Sequence, residues 1–350
     1  MIQMRLFNLD MHISVIADVR NILERQGIEV VNWSLSGHTW VFGKQLDPVE
    51  IVTHHTWENL TPEIISAFQN KYRDFLSTFD GFIVAFPLTF AMLFEPFNKP
   101  IFAVNCIRYD HPFCRQDKAP MLLEFHKCLK RLNDKKLLHV IANNKADLAY
   151  FHLGNPTIEA RLIPSLCLYT NMVWSNSGQR QFLIYSGEDT VPIHPLLTRR
   201  SDIGNFNWND LMRYKGIVHI PYETSTMSIF EHISSGIPLF FPTKRFLKEL
   251  WATKKAHFQS DYWKVLNNEN APSYLSETQS YDFWLDNADY YGDIKAHYFD
   301  SFDELIRMII LFFRDEDLST FLEERKQKVF SDWLNVFQNS PPVSVSSAGK

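Results

Sequence analysis

Short apolar runs alternate with helix-like segments along most of the chain, and this alternation most constrains the fold. Residues 4–10 have the pattern of a buried strand, and residues 15–27 that of a helix closed by a glycine. A second strand begins at Ile28, and the same order recurs as far as Leu166. Strands that alternate with helices predict βαβ units and a parallel sheet.

One polar, aperiodic segment interrupts the alternation, at residues 169–180, and the pattern then restarts with a strand at Gln181. A chain of 350 residues is long for one hydrophobic core and sufficient for two. We expect two Rossmann-like domains, over residues 1–172 and 180–338, and a disordered Pro/Ser-rich tail over 339–350. Two doubly wound domains that face each other leave a cleft at the carboxyl ends of their strands, where ligands bind.

Composition and missing motifs exclude several function classes. The formal net charge of −5 and the absence of a long Lys/Arg run argue against a nucleic-acid partner. Four scattered cysteines without a CxxC pair argue against a zinc site and favour a reduced, cytoplasmic protein. The chain lacks a signal-peptide pattern and an apolar run long enough for a bilayer, which leaves only peripheral membrane association open. P-loop, G-x-G-x-x-G and H-E-x-x-H motifs are absent, which argues against kinase-like NTPases, typical dehydrogenases and zincins.

A histidine follows the first predicted strand. Asp10 ends that strand, and His12 lies in the turn before the first helix, at the sheet edge where ligands bind. An imidazole of near-neutral pKa can take a proton from a hydroxyl group, and Asp10 can hold the ring in one tautomer. The alternative is that His12 only starts the helix and Asp10 only ends the strand.

A run of hydroxyl residues opens a helix in the segment 215–250, "KGIVHIPYETSTMSIFEHISSGIPLFFPTKRFLKEL". The N–H groups and dipole of a helix start suit phosphate oxygens. Glu231, one turn further on, can accept hydrogen bonds from ribose hydroxyls. The candidate nucleotide-binding residues here are Tyr222, Thr224, Ser225, Thr226, Met227, Ser228 and Glu231. The alternative is an ordinary βαβ unit with a capped helix.

Further candidates follow other strands. Gly187, after Ser186, allows the backbone to approach a phosphate, and Arg199 and Arg200 can neutralise a diphosphate leaving group when no metal is used. Both arginines could equally lie in a solvated loop. On the acceptor side the candidates are Trp40, as a flat surface for a sugar, and Arg108 and Asn143, which follow strands. Core packing and chain turning are the alternatives for these three.

Two of these motifs resemble glycosyltransferases of the GT-B fold. His12, the helix that ends at Gly27 and the following "GIEVV" are similar to the opening of inverting members. Met11 and Val15 stand where those enzymes usually have glycine and proline. The stretch from Thr224 to "SGIPLFFP" resembles the donor-binding motif of GT-B enzymes, including exostosin-like families.

The resemblance implies a hexosyl- or deoxyhexosyltransferase with two Rossmann-like domains and a last helix that returns to the first domain. Such an enzyme moves a sugar from a nucleoside-diphosphate sugar to a hydroxyl group of a glycan or small molecule, without a metal or other cofactor. With His12 as base, the reaction inverts the configuration at the anomeric carbon. A GT-B sugar-nucleotide epimerase and a non-catalytic nucleotide- or carbohydrate-binding protein remain as alternatives.

Overall fold

The computed structural model describes residues 4–38, 41, 49–114, 116–175, 178–258, 281–292, 294–313 and 318–338. Trp40 and the tail 339–350 lie outside these residues. The described chain divides into two compact units. The first contains residues 4–165 and 329–338, and the second contains the described part of 166–328. The boundary at Ser165 therefore precedes the segment that the sequence predicts as a linker.

The first unit is built on a parallel sheet. Its strands are β1 (Met4–Asp10), β2 (Ile28–Ser34), β3 (Gly81–Val84), β4 (Ile101–Asn105), β5 (Leu138–Ala142) and β6 (Ala160–Leu162). Within the described residues they lie in the order β2-β1-β3-β4-β5-β6. β1 pairs with β2 from Met4 to Asp10 and with β3 on its other side. The carboxyl end of β1 is thus fixed between two neighbours.

The helices of the first unit are α1 (Ile13–Glu24), α2 (Pro62–Leu76), α3 (Ala91–Phe94), α4 (Ala119–Asp134) and α5 (Lys145–Gly154). α2 begins at Pro62, because the Thr61 side chain accepts from the Ile64 N–H and Pro62 fits the first helical position. Residues 88–97 form a continuous run of helical turns. That segment forms α3 between two 3-10 turns, since Pro96 has no N–H to continue the ladder.

Aromatic side chains fix β1 within the first core. Phe7, fully buried on β1, packs edge-on against Phe75 and Phe94 at ring centroid distances of 5.6 and 5.9 Å, and lies 5.3 Å from Phe79. Such edge-on pairs stabilise beyond the buried area alone. Asp10 lies three residues further along this anchored strand, so its position at the sheet edge is rigidly set.

The second unit repeats the arrangement. Its strands are β7 (Phe182–Ser186), β8 (Leu197–Arg199), β9 (Ile217–His219), β10 (Leu239–Pro242) and β11 (His297–Phe299), and in the described chain they lie, all parallel, in the order β11-β10-β9-β7-β8. Its helices are α6 (Trp208–Leu211), α7 (Met227–Ser235), α8 (Lys244–Ala252), α9 (Tyr281–Asp286), α10 (Phe302–Leu311) and α11 (Ser319–Gln338). The last turns of α11, residues 329–338, group with the first unit.

Both units have the doubly wound topology that the sequence predicts, and the predicted pair of Rossmann-like α/β domains is confirmed. The strand order reverses between β1 and β3 in the first unit, and between β7 and β9 in the second. We call these places the β1/β3 switch point and the β7/β9 switch point. Doubly wound sheets bind ligands just outside the carboxyl ends of the strands at such positions.

Two negative findings concern the described residues only. No helix among them has the length and apolar character needed to cross a bilayer. No group of three or more His, Cys, Asp or Glu side chains among them is arranged to hold a metal ion.

Candidate functional site

Asp10 occupies the β1/β3 switch point and is fully buried. Its carboxylate accepts hydrogen bonds from Asn8 Nδ2 at 2.7 Å, from Ser34 Oγ at 3.1 Å and from the backbone N–H of His12. Burial raises the pKa of Asp10 to about 7, against the lowering effect of these bonds. This carboxyl group therefore changes its charge near neutral pH.

His12 stands at the N-cap of α1, where the sequence places it, and is half-buried. The pKa of its imidazole is lowered to about 4, mainly by burial, with a smaller contribution from the nearby His38. The ring is neutral at pH 7 and can accept a proton. The hydrogen bonds of Asp10 go to Asn8, Ser34 and the main chain of His12, so Asp10 holds the turn rather than the ring.

The structure joins Arg108 and Asn143 through two further residues of the first unit. A guanidinium nitrogen of Arg108 lies 3.9 Å from Asp147 Oδ1. Asn144 Nδ2 donates to Asp147 Oδ2 at 2.7 Å and to Asn143 Oδ1 at 2.8 Å. These polar groups line the carboxyl ends of β4 and β5, which supports their assignment to one subsite. Asp147, which sequence reasoning missed, is its central member.

A serine and two histidines connect the strands of the β7/β9 switch point to α7. Ser186 Oγ lies 3.3 Å from His219 Nδ1, and His219 Nε2 lies 3.1 Å from His232 Nδ1. Burial lowers the pKa of His219 to about 3 and that of His232 well below its ordinary value. Both rings are therefore neutral, and the chain of contacts orients the Ser186 hydroxyl without carrying charge. The position of His219 at a strand's carboxyl end was the signal that could have found it.

Gly187 lies directly beyond β7 in a left-handed conformation, with φ of 72°. A Cβ at this position would collide with the side chain of Ile220, which follows β9. Only glycine therefore lets the two strand ends approach this closely. The approach to a phosphate that the sequence suggests for Gly187 stays a prediction.

The start of α7 lacks a side-chain cap. Thr226 makes no capping hydrogen bond within the described chain, and its hydroxyl lies 3.1 Å from Ser228 Oγ. No acidic residue occupies the first turn. Thr224 differs from its neighbours, because its N–H and hydroxyl both donate to Glu223. The half-buried Ser225, Thr226 and Ser228 therefore lie at the uncapped helix start, whereas Thr224 is bonded to Glu223 in the loop before it.

Glu231 lies on α7 and is 7% exposed. Its Oε1 accepts a hydrogen bond of 2.5 Å from the hydroxyl of Tyr169, a residue in the segment predicted to be a linker. The predicted ribose-binding carboxylate is therefore held by a side chain 62 positions earlier. Sequence reasoning had no signal for this pair.

The two arginines have different surroundings. Arg199 lies 3.7 Å from the exposed carboxylate of Asp189. Arg200 lies over the ring of Tyr185, 4.8 Å from its centroid. Burial raises the pKa of Tyr185 to about 12, and the charges of Arg200 and Glu231 act on it in opposite directions. Of the two arginines, Arg200 is the one that contacts Tyr185.

Tyr222 also lies near Tyr185. It is 42% exposed, and burial of its remaining part raises the pKa of its phenol, with Arg200 acting in the opposite direction. Tyr185 packs edge-on against His232 at a ring centroid distance of 4.6 Å. Arg200, Tyr222 and Glu231 are therefore gathered around Tyr185 beside the histidine pair.

A cavity of about 1360 Å³ opens beside Gly187 in the second unit. Three aromatic residues, Trp251, Phe258 and Tyr281, line it, and the Trp251 and Phe258 rings are 4.2 Å apart. Lys254 and Lys255 also line it. The cavity provides room for a ligand at the carboxyl end of β7, and the residues at the end of α8 that form it were not predicted.

No family model and no curated protein matches this chain. Solved structures to which it is similar include the glycotransferase of kitacinnamycin, with 10% identity over 97% of this chain and 99% of that chain, at a TM-score of 0.42. The spinosyn rhamnosyltransferase SpnG has 11% identity over 97% of both chains, at a TM-score of 0.41. The glycosyltransferase SnogD from Streptomyces nogalater has 9% identity over 97% of this chain and 96% of that chain, at 0.39. A likeness this distant assigns no activity, so function is argued from the site.

Proposed function

We propose that the protein is a glycosyltransferase that moves a sugar from a nucleoside-diphosphate sugar to a hydroxyl group of a glycan or small-molecule acceptor. The β7/β9 switch point carries this proposal, because it gathers an uncapped helix start, the oriented Ser186 hydroxyl and the buried Glu231 carboxylate. Phosphate groups need N–H and O–H donors, and ribose hydroxyls need an acceptor. Both kinds of partner are present on one short helix and the strand beside it.

In the proposed complex the diphosphate lies at the start of α7. Ser225, Thr226 and Ser228 supply donors there, and Arg200 supplies positive charge to the leaving group. This arrangement stabilises the departing diphosphate through fixed protein groups rather than a metal ion. The transferred hexose or deoxyhexose occupies the cavity beside Gly187.

The first unit supplies the acceptor site and the base. His12 is neutral at pH 7, and it removes the proton of the attacking hydroxyl. Attack by that oxygen opposite the departing diphosphate inverts the anomeric configuration. Arg108, Asn143 and Trp40 bind the acceptor, while Asp10 fixes the turn that carries His12.

Thermal unfolding with UDP, GDP, CMP, dTDP and ADP tests the donor site. A ligand that binds only the folded protein, at a hundredfold excess over its Kd, stabilises it by about 2.7 kcal/mol. We expect a nucleoside diphosphate to raise the melting temperature of the wild type and of Glu249→Gln, an exposed control on α8, but not that of Glu231→Gln. If none of the five nucleotides raises it, the glycosyltransferase proposal is wrong.

A further inference from the structure

Tyr169 makes a contact that the proposed reaction does not itself require. Its hydroxyl donates to Glu231 Oε1 at 2.5 Å, between a half-buried tyrosine and a buried carboxylate. Hydrogen bonds to ionised groups are the strong ones, and such short O–H···O distances are typical of them. The bond therefore fixes how the carboxylate is rotated.

The segment around Tyr169 is attached to both ends of α7, the helix that carries Glu231. The Cys167 thiol donates to the carbonyl of Met227 at 3.9 Å, at the start of the helix. At its end, the Ser234 hydroxyl donates to the carbonyl of Leu166, and the Trp174 N–H donates to that of Ser235 at 2.9 Å. Tyr169 thus keeps its place relative to α7.

Backbone conformation and ring packing direct the Tyr169 side chain. Tyr169 lies in a single 3-10 turn, Leu168–Thr170, between two left-handed residues, Cys167 (φ 53°) and Asn171 (φ 52°). Such conformations are unfavourable for non-glycine residues, so the packing around them must hold this turn in place. The tyrosine ring packs edge-on against Trp208, with centroids 5.5 Å apart.

A carboxylate held in one rotation can meet two neighbouring hydroxyl groups at once. It offers about four acceptor directions, and the bond from Tyr169 occupies one of them and orients the group. The adjacent 2′- and 3′-hydroxyls of a ribose match such a group, whereas a 2′-deoxyribose offers one hydroxyl fewer. A carboxylate that rotates freely must first be ordered, and it gains less from the second hydroxyl.

We propose that Tyr169 is a positioning residue that makes the protein select ribonucleoside diphosphates over 2′-deoxyribonucleoside diphosphates. The inference rests on the proposed function, in which Glu231 binds the ribose of the donor. It narrows the donor to the ribonucleotide class, and it assigns the specificity to the segment that precedes β7.

Titration calorimetry with UDP and 2′-deoxy-UDP, and with GDP and 2′-deoxy-GDP, measures this selection. We expect the wild type to bind one ribonucleotide about tenfold or more tightly than its deoxy form, the effect of one hydrogen bond to a charged group. In Tyr169→Phe, binding of the ribonucleotide weakens and the ratio falls towards one, while binding of the deoxy form changes little. Tyr298→Phe is the matched control, since it removes a phenol bond to the Tyr290 carbonyl on the far strand β11 and should keep the wild-type ratio.

The outcomes separate this inference from the function on which it rests. If the wild type binds neither nucleotide, both the proposed function and the role of Tyr169 are wrong. If it binds both forms equally, or if Tyr169→Phe weakens both by the same factor, the glycosyltransferase proposal stands and the positioning role is wrong. The melting temperatures of Tyr169→Phe and Tyr298→Phe are also measured, to show whether both variants fold. If Tyr169→Phe does not fold, the ratio of ribonucleotide to deoxyribonucleotide affinity in the wild type can still overturn the inference.

Discussion

The two switch points share a topology and differ in their electrostatics. The β1/β3 switch point holds a carboxyl group whose pKa is raised to about 7 and a half-buried imidazole. The β7/β9 switch point holds two buried imidazoles that stay neutral, beside an oriented hydroxyl and an uncapped helix start. One site can exchange protons near neutral pH, while the other keeps a constant charge. The same topology thus surrounds its strand ends with a titrating carboxyl group in one unit and with neutral polar groups in the other.

Removal of His12 should affect turnover most. We expect His12→Gln to lower kcat about 10²–10⁴-fold, the usual effect of losing a general base, which corresponds to about 3–5 kcal/mol in the barrier. Nucleotide affinity should stay unchanged, since it belongs to the other unit. His12 makes no side-chain capping bond to α1, so the melting temperature should also stay. Transfer rates and calorimetry of His12→Gln are compared with those of His38→Gln, and equal rates in the two variants would contradict the base assignment.

The second largest effect is expected from a larger side chain at Gly187, beside the β7/β9 switch point, which should lower the free energy of unfolding. Gly187→Ala combines left-handed strain with a collision against Ile220, and we expect a loss of about 2–5 kcal/mol in the free energy of unfolding. Gly27→Ala is the matched control, because Gly27 also has a positive φ, of 84°, and open space around it. Its loss should be about 1–2 kcal/mol, from strain alone. Equal losses in urea unfolding would show that the approach of the strand ends is not tight.

The buried carboxyl group of the first unit should make stability depend on pH. Because the folded pKa of Asp10 is raised above its ordinary value, the folded protein keeps a proton that the unfolded chain loses above about pH 4. Stability from this group is complete below that pH and is lost as pH rises to about 7. Between pH 5 and pH 8 the free energy of unfolding of the wild type should fall by about 3 kcal/mol, from two pH units at about 1.4 kcal/mol each. The free energy of unfolding of Asp10→Asn should not show this fall.

Urea unfolding of both proteins at pH 5 and pH 8 measures this difference. Asp80→Asn, at the carboxylate that accepts from the Arg5 N–H, serves as a control on the same unit. A wild type and an Asp10→Asn variant whose stabilities change in parallel would mean that Asp10 ionises as freely as in the unfolded chain.

The buried histidines should make the protein less stable as pH falls. This pH dependence is opposite to that of Asp10, and we expect it to be smaller. Because the folded pKa of His232 is lowered, its contribution is present above about pH 6.5 and is lost as pH falls. His232→Phe should therefore lose less stability than the wild type between pH 7 and pH 5. At pH 7 it should be less stable by about 1–3 kcal/mol, since His219 loses its partner. Urea unfolding of the exposed His152→Gln should show no such change in slope.

Sequence patterns predicted the regular elements better than the contacts between them. β1 and α4 were placed at their observed bounds, because long apolar periodicity and a helix-starting proline identify such elements. β8 was missed because it has three residues and two of them are polar. Short strands of this kind form only when neighbouring strands supply the pairing, which a local pattern does not contain.

The candidate site was predictable only in its individual members. His12, Ser186 and Glu231 could be proposed from the sequence, because His12 follows a strand, Ser186 ends one and Glu231 lies one turn into a helix. The partners that set their behaviour, among them His219, His232 and Tyr169, were not found, since 13 residues separate the two histidines and 62 separate Tyr169 from Glu231. Local periodicity carries no information on which side chains the tertiary fold brings together.

The last helix has a consequence for how the protein is made. Phe337 packs on Phe102 of β4 at a ring centroid distance of 4.5 Å, and Gln26 donates to the carbonyl of Phe330, 304 positions later. During synthesis the first unit therefore emerges from the ribosome long before the residues that complete it. Until then, part of its apolar surface stays exposed, which is the condition in which chaperones bind nascent chains.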